Sequence, residues 1–290
     1  MKMNYLVIDE IIKNALNEDI PYEDITTGSV IGEDWICRAE LLSKDTGIIA
    51  GLEVFKRVFD LLGEVDVELF KADGDSVEPR MIVAKLSGNT RNILKGERTA
   101  LNLLQRMSGI ATVARAYSVA IEGTGAKLLD TRKTMPGLRI LDKYAVTVGG
   151  GHNHRFNLSD GIMLKDNHIS AAGGIKPAVE SARKSCSFVR KIEVETENLD
   201  MVREALDAGV DMIMLDNMDC ETMKKAVEMI GGRAATEASG NVTLTTIRAI
   251  AETGVQYISS GALTHSVKAL DLSLKNLALL PAAARRYQKL

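Results

Sequence analysis

Several things that would identify a protein class at a glance are missing from this chain. Its three cysteines, Cys37, Cys186 and Cys220, are far apart and in no CxxC pattern. An odd, scattered set excludes a disulfide framework and a thiolate zinc site, and it points to a reducing compartment. No apolar run approaches the roughly 20 residues that span a bilayer. The opening stretch MKMNYLVIDEIIKNAL carries acids within its apolar periodicity, unlike the uninterrupted core of a secretory signal. Charge of one sign is missing too, because 36 Lys and Arg against 39 Asp and Glu leave −3. Without a global basic field, neither nucleic acid nor a membrane surface is an expected partner, and any anion site must be built locally. A soluble cytoplasmic protein is expected. The chain also lacks a GxSxG elbow, a GxxxxGK[ST] loop and a strand-borne GxGxxG, which weakens hydrolase, P-loop and dinucleotide readings. It has no repeat of fixed period and no low-complexity segment.

What is present is an ordinary globular composition. The chain has 290 residues, 46% of them hydrophobic and 26% charged, enough for a substantial core in one large domain or two. The first hundred residues mix element types. IDEIIKNALNED has helical spacing, WICRAELLS and GIIAG are strand-like, GLEVFKRVFDLLG is helical, and VDVELF alternates. DGDSVEP is a turn cluster before the strand RMIVAKLSG. This order predicts a compact α/β unit over residues 1–108. TRNILKGERTALNLLQRMSG then reads as an amphipathic helix closed by Gly109, with a second helix, IATVARAYSVAIEGTG, after it.

Beyond these helices, short apolar strands alternate with helices: AKLLD, GIMLK, KIEVE, DMIMLD, RAATEAS and QYISSG. The pattern is that of βα units on a parallel sheet. Most of these strands end in charged residues or in Ser-Gly, which is the arrangement of a (β/α) barrel mouth, although an open sheet also binds ligands on that edge. Residues 109–267 are too few for the roughly 250 of a full eight-unit barrel, so an incomplete one is expected. The tail, residues 268–290, is apolar enough to pack as a helix, with the first domain as a candidate surface for it.

Chemistry concentrates at the strand ends. In DTRKTMPGLR, Arg132 and Lys133 precede a Met-Pro-Gly turn. Arg offers a planar fork to carboxylate or phosphate and Lys a point charge, but a basic loop alone is most simply a solvated turn. Three glycines lead into His152, His154 and Arg155. No zinc-like ligand spacing accompanies the HNH run, so anion binding is the better reading. Lys165 ends GIMLK, where it could pair with an anion, form a Schiff base or simply sit on the surface. Glu193 and Glu195 lie two apart on KIEVE and share a face, with Asp216 on the next strand. These acids could hold Mg²⁺ with waters, bind ribose hydroxyls, or only neutralise the nearby cations. EASG and ISSGALTHS are small-residue loops that could cradle a phosphate on backbone N–H groups. Together they suggest a polyanionic substrate, part phosphorylated and part carboxylated.

Seven strings in order, ERTALNLLQRMSGIAT, LLDTRKTMPGLR, GGGHNHRFNLSDGIMLKDNHI, IEVE, MLDN, EASG and ISSGALTHS, closely resemble quinolinate phosphoribosyltransferase. They run from Glu97 to Ser266, and the N-terminal segment fits in length and pattern. The resemblance implies an N-terminal α/β sandwich domain plus an incomplete (β/α) barrel, the type II phosphoribosyltransferase arrangement. It implies transfer of phosphoribose from phosphoribosyl pyrophosphate to quinolinate with decarboxylation, giving nicotinate mononucleotide, pyrophosphate and CO₂ with Mg²⁺, in de novo NAD synthesis. It also implies a homodimer with a shared active site, and leaves a dimer and a hexamer built from dimers as alternatives.

Carried over by position, Arg132, His154, Arg155 and Lys165, with Arg98 from the neighbouring subunit, would hold the two quinolinate carboxylates. Lys133 would face the phosphoribosyl donor. Glu195 and Asp216 would bind ribose hydroxyls with Mg²⁺ nearby, and Glu193 is the alternative match for the family acid. Lys133, Lys165, Glu195 and Asp216 form the expected catalytic set. Ser239, Gly240, Asn241, Ser260 and Gly261 would cradle the 5′-phosphate, with His265 a further contact. Many relatives carry a second glycine at the position of Asn241. Readings that compete with this one are a relative serving another pathway, a Schiff-base lyase on Lys165 or Lys133, and a non-catalytic phosphate-ligand sensor.

Overall fold

The computed structural model describes residues 3–281. Within them the chain forms two compact units. One comprises the chain up to Val113, Pro136–Gly149 and the segment from Val267; the other comprises Ala114–Met135 and Gly150–Ser266.

The first unit begins with α1 (Tyr5–Asp19), α2 (Ile25–Val30), β1 (Ile36–Ser43), β2 (Gly47–Ile48), α3 (Leu52–Leu62), β3 (Val65–Leu69), β4 (Ser76–Val77), β5 (Ile82–Asn89) and α4 (Thr90–Ala120). Side chains cap the first two helices: Leu6 N donates to Asn4 Oδ1 at 3.1 Å and Thr27 N to Asp24 Oδ1 at 2.9 Å. Each cap satisfies an amide that the helix start leaves without a partner. On β1, alternate residues Cys37, Ala39 and Leu41 are buried, as a strand with one core face requires. Phe55 and Phe59 of α3 are buried with them and meet edge to face, ring centroids 5.2 Å apart.

Two expectations fail in this unit. The helix expected to stop at Gly109 does not; α4 is one helix of 31 residues. A Cβ at Gly109 would lie 2.3 Å from the Lys268 carbonyl oxygen. This glycine admits the returning chain rather than capping a helix, and that close approach outweighs its poor helix propensity. Nor is the tail helical throughout, since Leu272–Leu279 is a strand, β12. It pairs antiparallel with β1, with Leu272 opposite Ser43 and Leu274 opposite Leu41. Leu272 and Leu274 are buried with Ser273 between them, so a period of two decides the conformation. Part of the expected tail helix, from residue 282, lies outside the described residues. The resulting antiparallel sheet has the order β12-β1-β5-β3, with β2 and β4 forming a separate pair.

The second unit carries β6 (Lys127–Leu129), β7 (Ile162–Leu164), α6 (Asp166–Ala172), α7 (Ile175–Ser185), β8 (Ile192–Thr196), α8 (Leu199–Asp207), β9 (Met212–Asp216), α9 (Cys220–Ile230), β10 (Ala235–Ser239), α10 (Ile247–Ala251), β11 (Tyr257–Ser259) and α11 (Ala262–His265); α5 (Arg139–Val148) belongs to the first. All six expected strands are present and parallel, in the order β6-β11-β10-β9-β8-β7. The last strand returns to pair with the first, while β6 and β7 remain edges. The sheet is an incomplete barrel. Val194, Ile213, Leu215, Ala238 and Ile258 are fully buried, as strands covered on both faces should be. Val179, Val202, Met223 and Ile250 supply the buried faces of α7 to α10.

At the free edge of β6, His152 forms a parallel bridge to Leu129. His152 N donates to Leu128 O at 2.8 Å, and Asp130 N to His152 O at 3.1 Å. The HNH segment is thus tied to the strand ends. Because the strands are parallel, all their carboxyl ends share one rim.

Candidate active site

A cavity of about 830 Å³ opens at that rim. Arg132, Lys133, His154, Arg155, Lys165, Glu195, Asp216, Ser239, Gly240, Asn241, Ser260, Gly261 and His265 all line it. Two of the anticipated residues do not. Glu193 lies behind His154, and Arg98 is exposed on α4 in the other unit.

The cations occupy one wall. The loop bearing Arg132 and Lys133 is pinned at both ends of its backbone: Lys133 N donates to Thr131 Oγ1 at 3.0 Å, and Thr264 Oγ1 donates to Lys133 O at 2.9 Å. Asp130, fully buried, accepts from Asn153 Nδ2 at 2.6 Å and from His154 N at 2.9 Å. This carboxylate organises the wall rather than facing the cavity. Arg155 donates from Nη1 to Gly161 O at 3.1 Å. Burial, and then the neighbouring Arg132, lower its pKa, which marks two guanidinium groups held close together. Such a pair is favourable only opposite negative charge. Lys165 Nζ meets Glu195 Oε2 at 2.5 Å, so the acid–cation neutralisation anticipated from the sequence is present.

His154 turns both ring nitrogens towards the protein. Nδ1 accepts from Arg155 N at 2.7 Å, while Nε2 lies 3.1 Å from Glu193 Oε2 and 3.3 Å from Glu237 Oε2. Burial alone would depress the imidazole, but Glu193 and then Glu237 outweigh it and raise the pKa to about 10. Burial also pushes Glu193 up; His154 opposes this and Glu237 adds to it. The three groups titrate as a unit that keeps a proton its separated members would release. Because Nδ1 is an acceptor, that proton lies between Nε2 and the two carboxylates.

The rest of the lining combines an acid with amides. Asn217 Nδ2 donates to Asp216 Oδ2 at 2.6 Å, and Asn241 Nδ2 to Asn217 Oδ1 at 3.0 Å. Asn217 and Asn241 are both left-handed, at φ 54° and 50°. Asparagine tolerates that region, so Asn241 keeps a backbone path open to the glycine of many relatives. Gly240 (φ 92°) is also left-handed, and a Cβ there would lie 2.2 Å from Asn217 Oδ1. The amides of Gly240, Asn241 and Gly261 donate to no group among the described residues. α10 starts only at Ile247 and α11 has four residues, so any anion here is held by loop amides more than by a helix dipole.

Cations, acids and loop amides share the lining of this one cavity, an arrangement for a ligand carrying several negative groups. The family description quinolinate phosphoribosyl transferase, C-terminal domain, matches residues 110–275, and its N-terminal counterpart matches residues 24–108. The chain belongs to the quinolinate phosphoribosyltransferase family. It is similar to a probable nicotinate-nucleotide pyrophosphorylase (carboxylating) of Bacillus subtilis, 46% identical over 273 residues and 94% of each chain. A mitochondrial quinolinate phosphoribosyltransferase (decarboxylating) of Nicotiana tabacum is 47% identical over 291 residues, covering 92% of this chain and 82% of the relative. Among crystal structures, NadC from Streptococcus pyogenes superposes with a TM-score of 0.93 at 45% identity, covering 97% of this chain and all of that one.

For a quinolinate phosphoribosyltransferase, the sequence reading missed two residues. Glu237 stood in the quoted EASG string, but only its Ser-Gly was assigned. Its place two residues before Ser239 on a strand puts both on one face, which was the available signal. Asn217 stood in MLDN, and its left-handed backbone has no distinct sequence signal beyond the asparagine itself.

Proposed function

We infer that this cavity is the active site of a phosphoribosyltransferase that joins quinolinate to the phosphoribose of phosphoribosyl pyrophosphate. The products are nicotinate mononucleotide, pyrophosphate and CO₂, a step of de novo NAD biosynthesis. The observation that carries the reading is one cavity, in a chain matched along most of its length by this family, lined by clustered cations together with loop amides. A substrate pair bearing two carboxylates and several phosphate charges needs both.

The residues divide the work by charge. Arg132, Arg155 and Lys165 take the ring carboxylates, the two guanidinium groups as bidentate partners. His154, with Nδ1 engaged by the Arg155 amide and Nε2 beside two buried carboxylates, supports this wall and holds Arg155 in place. The amides of Gly240, Asn241 and Gly261, with Ser239, Ser260 and His265 beside them, receive the 5′-phosphate. Lys133 faces the pyrophosphate, while Glu195 and Asp216 accept from the ribose hydroxyls.

The pyridine nitrogen attacks C1 of the ribose as the bond to pyrophosphate breaks. Catalysis is positioning and electrostatic support of an oxocarbenium-like state, and no general base is needed. The electron pair of the breaking bond to the 2-carboxylate then stays on that ring carbon, where the adjacent positive nitrogen stabilises it. CO₂ leaves, and a proton from solvent replaces it on the carbon.

Mg²⁺ is compatible with the donor set. Glu195 is half-neutralised by Lys165 and Asp216 is singly bonded by Asn217, which leaves carboxylate oxygens for an ion that also binds pyrophosphate. Bound there, it would offset charge on the leaving group. Arg98 is the expected contribution of a partner subunit, in a homodimer or a hexamer built from dimers. No helix among the described residues is long and apolar enough to cross a membrane, and we assign the protein to the cytoplasm.

The test is an assay of nicotinate mononucleotide formation from quinolinate and phosphoribosyl pyrophosphate, with nicotinate as control acceptor. Turnover with quinolinate alone is expected. Binding without turnover would favour a sensor, and borohydride trapping of substrate on Lys165 would favour a lyase.

A further inference from the structure

Two buried acids stand beside His154 at this rim: Glu237 belongs to the cavity lining and Glu193 lies behind the histidine. Glu193 on β8 is 6% exposed and Glu237 on β10 is 0% exposed. Burying a carboxylate costs several kcal/mol unless something compensates. Both converge on one atom, His154 Nε2, at 3.1 and 3.3 Å. Through the ring, His154 Nδ1 accepts the backbone N–H of Arg155 at 2.7 Å. The guanidinium of the same residue is tied at its far end to Gly161 O at 3.1 Å, with Met163 Sδ 3.6 Å from Nη2.

We propose that Glu193 and Glu237 are positioning residues that act through His154 to fix Arg155 for a carboxylate of the acceptor. This rests on the assignment of the cavity as a quinolinate site. A carboxylate oxygen of each acid lies within 3.3 Å of Nε2, and this close polar packing confines the imidazole about its χ angles although Nε2 completes no hydrogen bond. The locked Nδ1 then fixes the amide of the next residue, and with it the direction in which the Arg155 side chain leaves the backbone. Its head group is held by Gly161 O and Met163 Sδ where Arg155 lines the cavity. The acids thus set the geometry of an arginine neither of them is hydrogen-bonded to.

The same three side chains have the composition of a cation site, with ligand atoms within 4.8 Å of one another. The tautomer argues against it. A nitrogen that accepts an amide proton cannot carry its own, so the ring proton sits on Nε2, the atom that would have to offer a lone pair to a metal.

The experiment compares Glu237→Gln with Glu237→Met, and Glu193→Gln with Glu193→Met, in the full-length enzyme. Gln keeps an acceptor for Nε2–H and Met does not. The Met variants should raise KM for quinolinate by about tenfold or more, the scale of misaligned binding groups, with KM for phosphoribosyl pyrophosphate within about twofold. The Gln variants should return KM for quinolinate to within about threefold of the wild type. If a Met variant fails to fold, the Ala variant at that position and calorimetric Kd values for both substrates decide instead: a Kd for quinolinate moved no more than that for phosphoribosyl pyrophosphate overturns the proposal. Equal changes in both KM values, or none in either, also overturn it. So does stoichiometric Zn²⁺ in the wild-type protein that Glu237→Met loses. Wild-type turnover of quinolinate is measured alongside. Its absence would refute the assigned activity, whereas a normal wild type with unresponsive variants would refute only the positioning role.

Discussion

Lys165 Nζ and Glu195 Oε2 meet at 2.5 Å where β7 and β8 open into the cavity. The ammonium is therefore shared between a fixed protein carboxylate and whatever anion enters. Removing it does two things at once, deleting a contact for the acceptor and leaving Glu195 uncompensated beside an incoming dianion. Lys165→Ala is expected to lower kcat/KM by about 10²–10³-fold, the scale of a lost preorganised electrostatic contact. Arg132→Ala should do likewise with folding intact by circular dichroism. Near-normal kcat/KM in either variant would remove it from the site.

Arg98 is exposed on α4 and lines no part of the cavity described above. If it completes a neighbour's site, Arg98→Ala should be as inactive as Lys165→Ala. Mixed dimers of the two variants should then regain activity at one site in each pair that carries both lesions on the same side. Size-exclusion chromatography followed by assay of mixed and unmixed samples reads this directly. A mixture no more active than its parents would argue against a shared site.

Gly240→Ala places a methyl group where only 2.2 Å separates it from Asn217 Oδ1, at a φ of 92°. The loop must move, and its two amides move with it. We expect KM for phosphoribosyl pyrophosphate to rise about tenfold or more, with little change for quinolinate, as misplaced binding groups do. Initial-rate kinetics with each substrate varied in turn would test the split. Equal effects on both substrates would dissociate this loop from the phosphate.

A pH dependence follows from His154. The two acids raise its pKa to about 10 from an ordinary 6.5, and with Nδ1 engaged as an acceptor the retained proton belongs to the cluster, shared with the glutamate carboxyls rather than held as a second ring N–H. The sign is that of a raised group: its stabilisation is complete below the unfolded value and is lost as pH climbs through the folded one. Glu193, pushed up as well, works in the same direction. Thermal unfolding midpoints should fall between about pH 6.5 and about pH 10, and the fall should be shallower in His154→Gln. An identical slope in the two proteins would mean that the cluster releases its proton much earlier.

Much of this was legible in the sequence. The six parallel strands announced themselves because each is a short apolar run bounded by turns and followed by a helix, and the chemistry at their ends follows from the sheet being parallel. The cavity residues were readable wherever a charged or small residue ended a strand. What escaped notice depended on partners distant in sequence. Gly109 looks like a helix end until Lys268 is seen crossing it. Leu272–Leu279 is apolar enough for either conformation, and only the free side of β1 decides for a strand. Glu193 and Glu195 looked interchangeable, yet one is turned inward to His154 and the other to Lys165. No local pattern separates them, because both lie on the same face of β8 and differ only in depth.

The pairing of β12 with β1 has a consequence for how the chain is made. β1 is an inner strand, flanked by β5 on one side and by β12 on the other. Its second neighbour is the last strand of the described chain. Until residues beyond Leu272 have left the ribosome, the nascent protein carries a bare strand flank, with a row of unmet amides and carbonyls. The first unit to begin synthesis is thus among the last to be finished, and the interval lasts the whole translation of the barrel. Messages broken or stalled late in the reading frame would release chains with that flank still open, which makes them natural clients for chaperones.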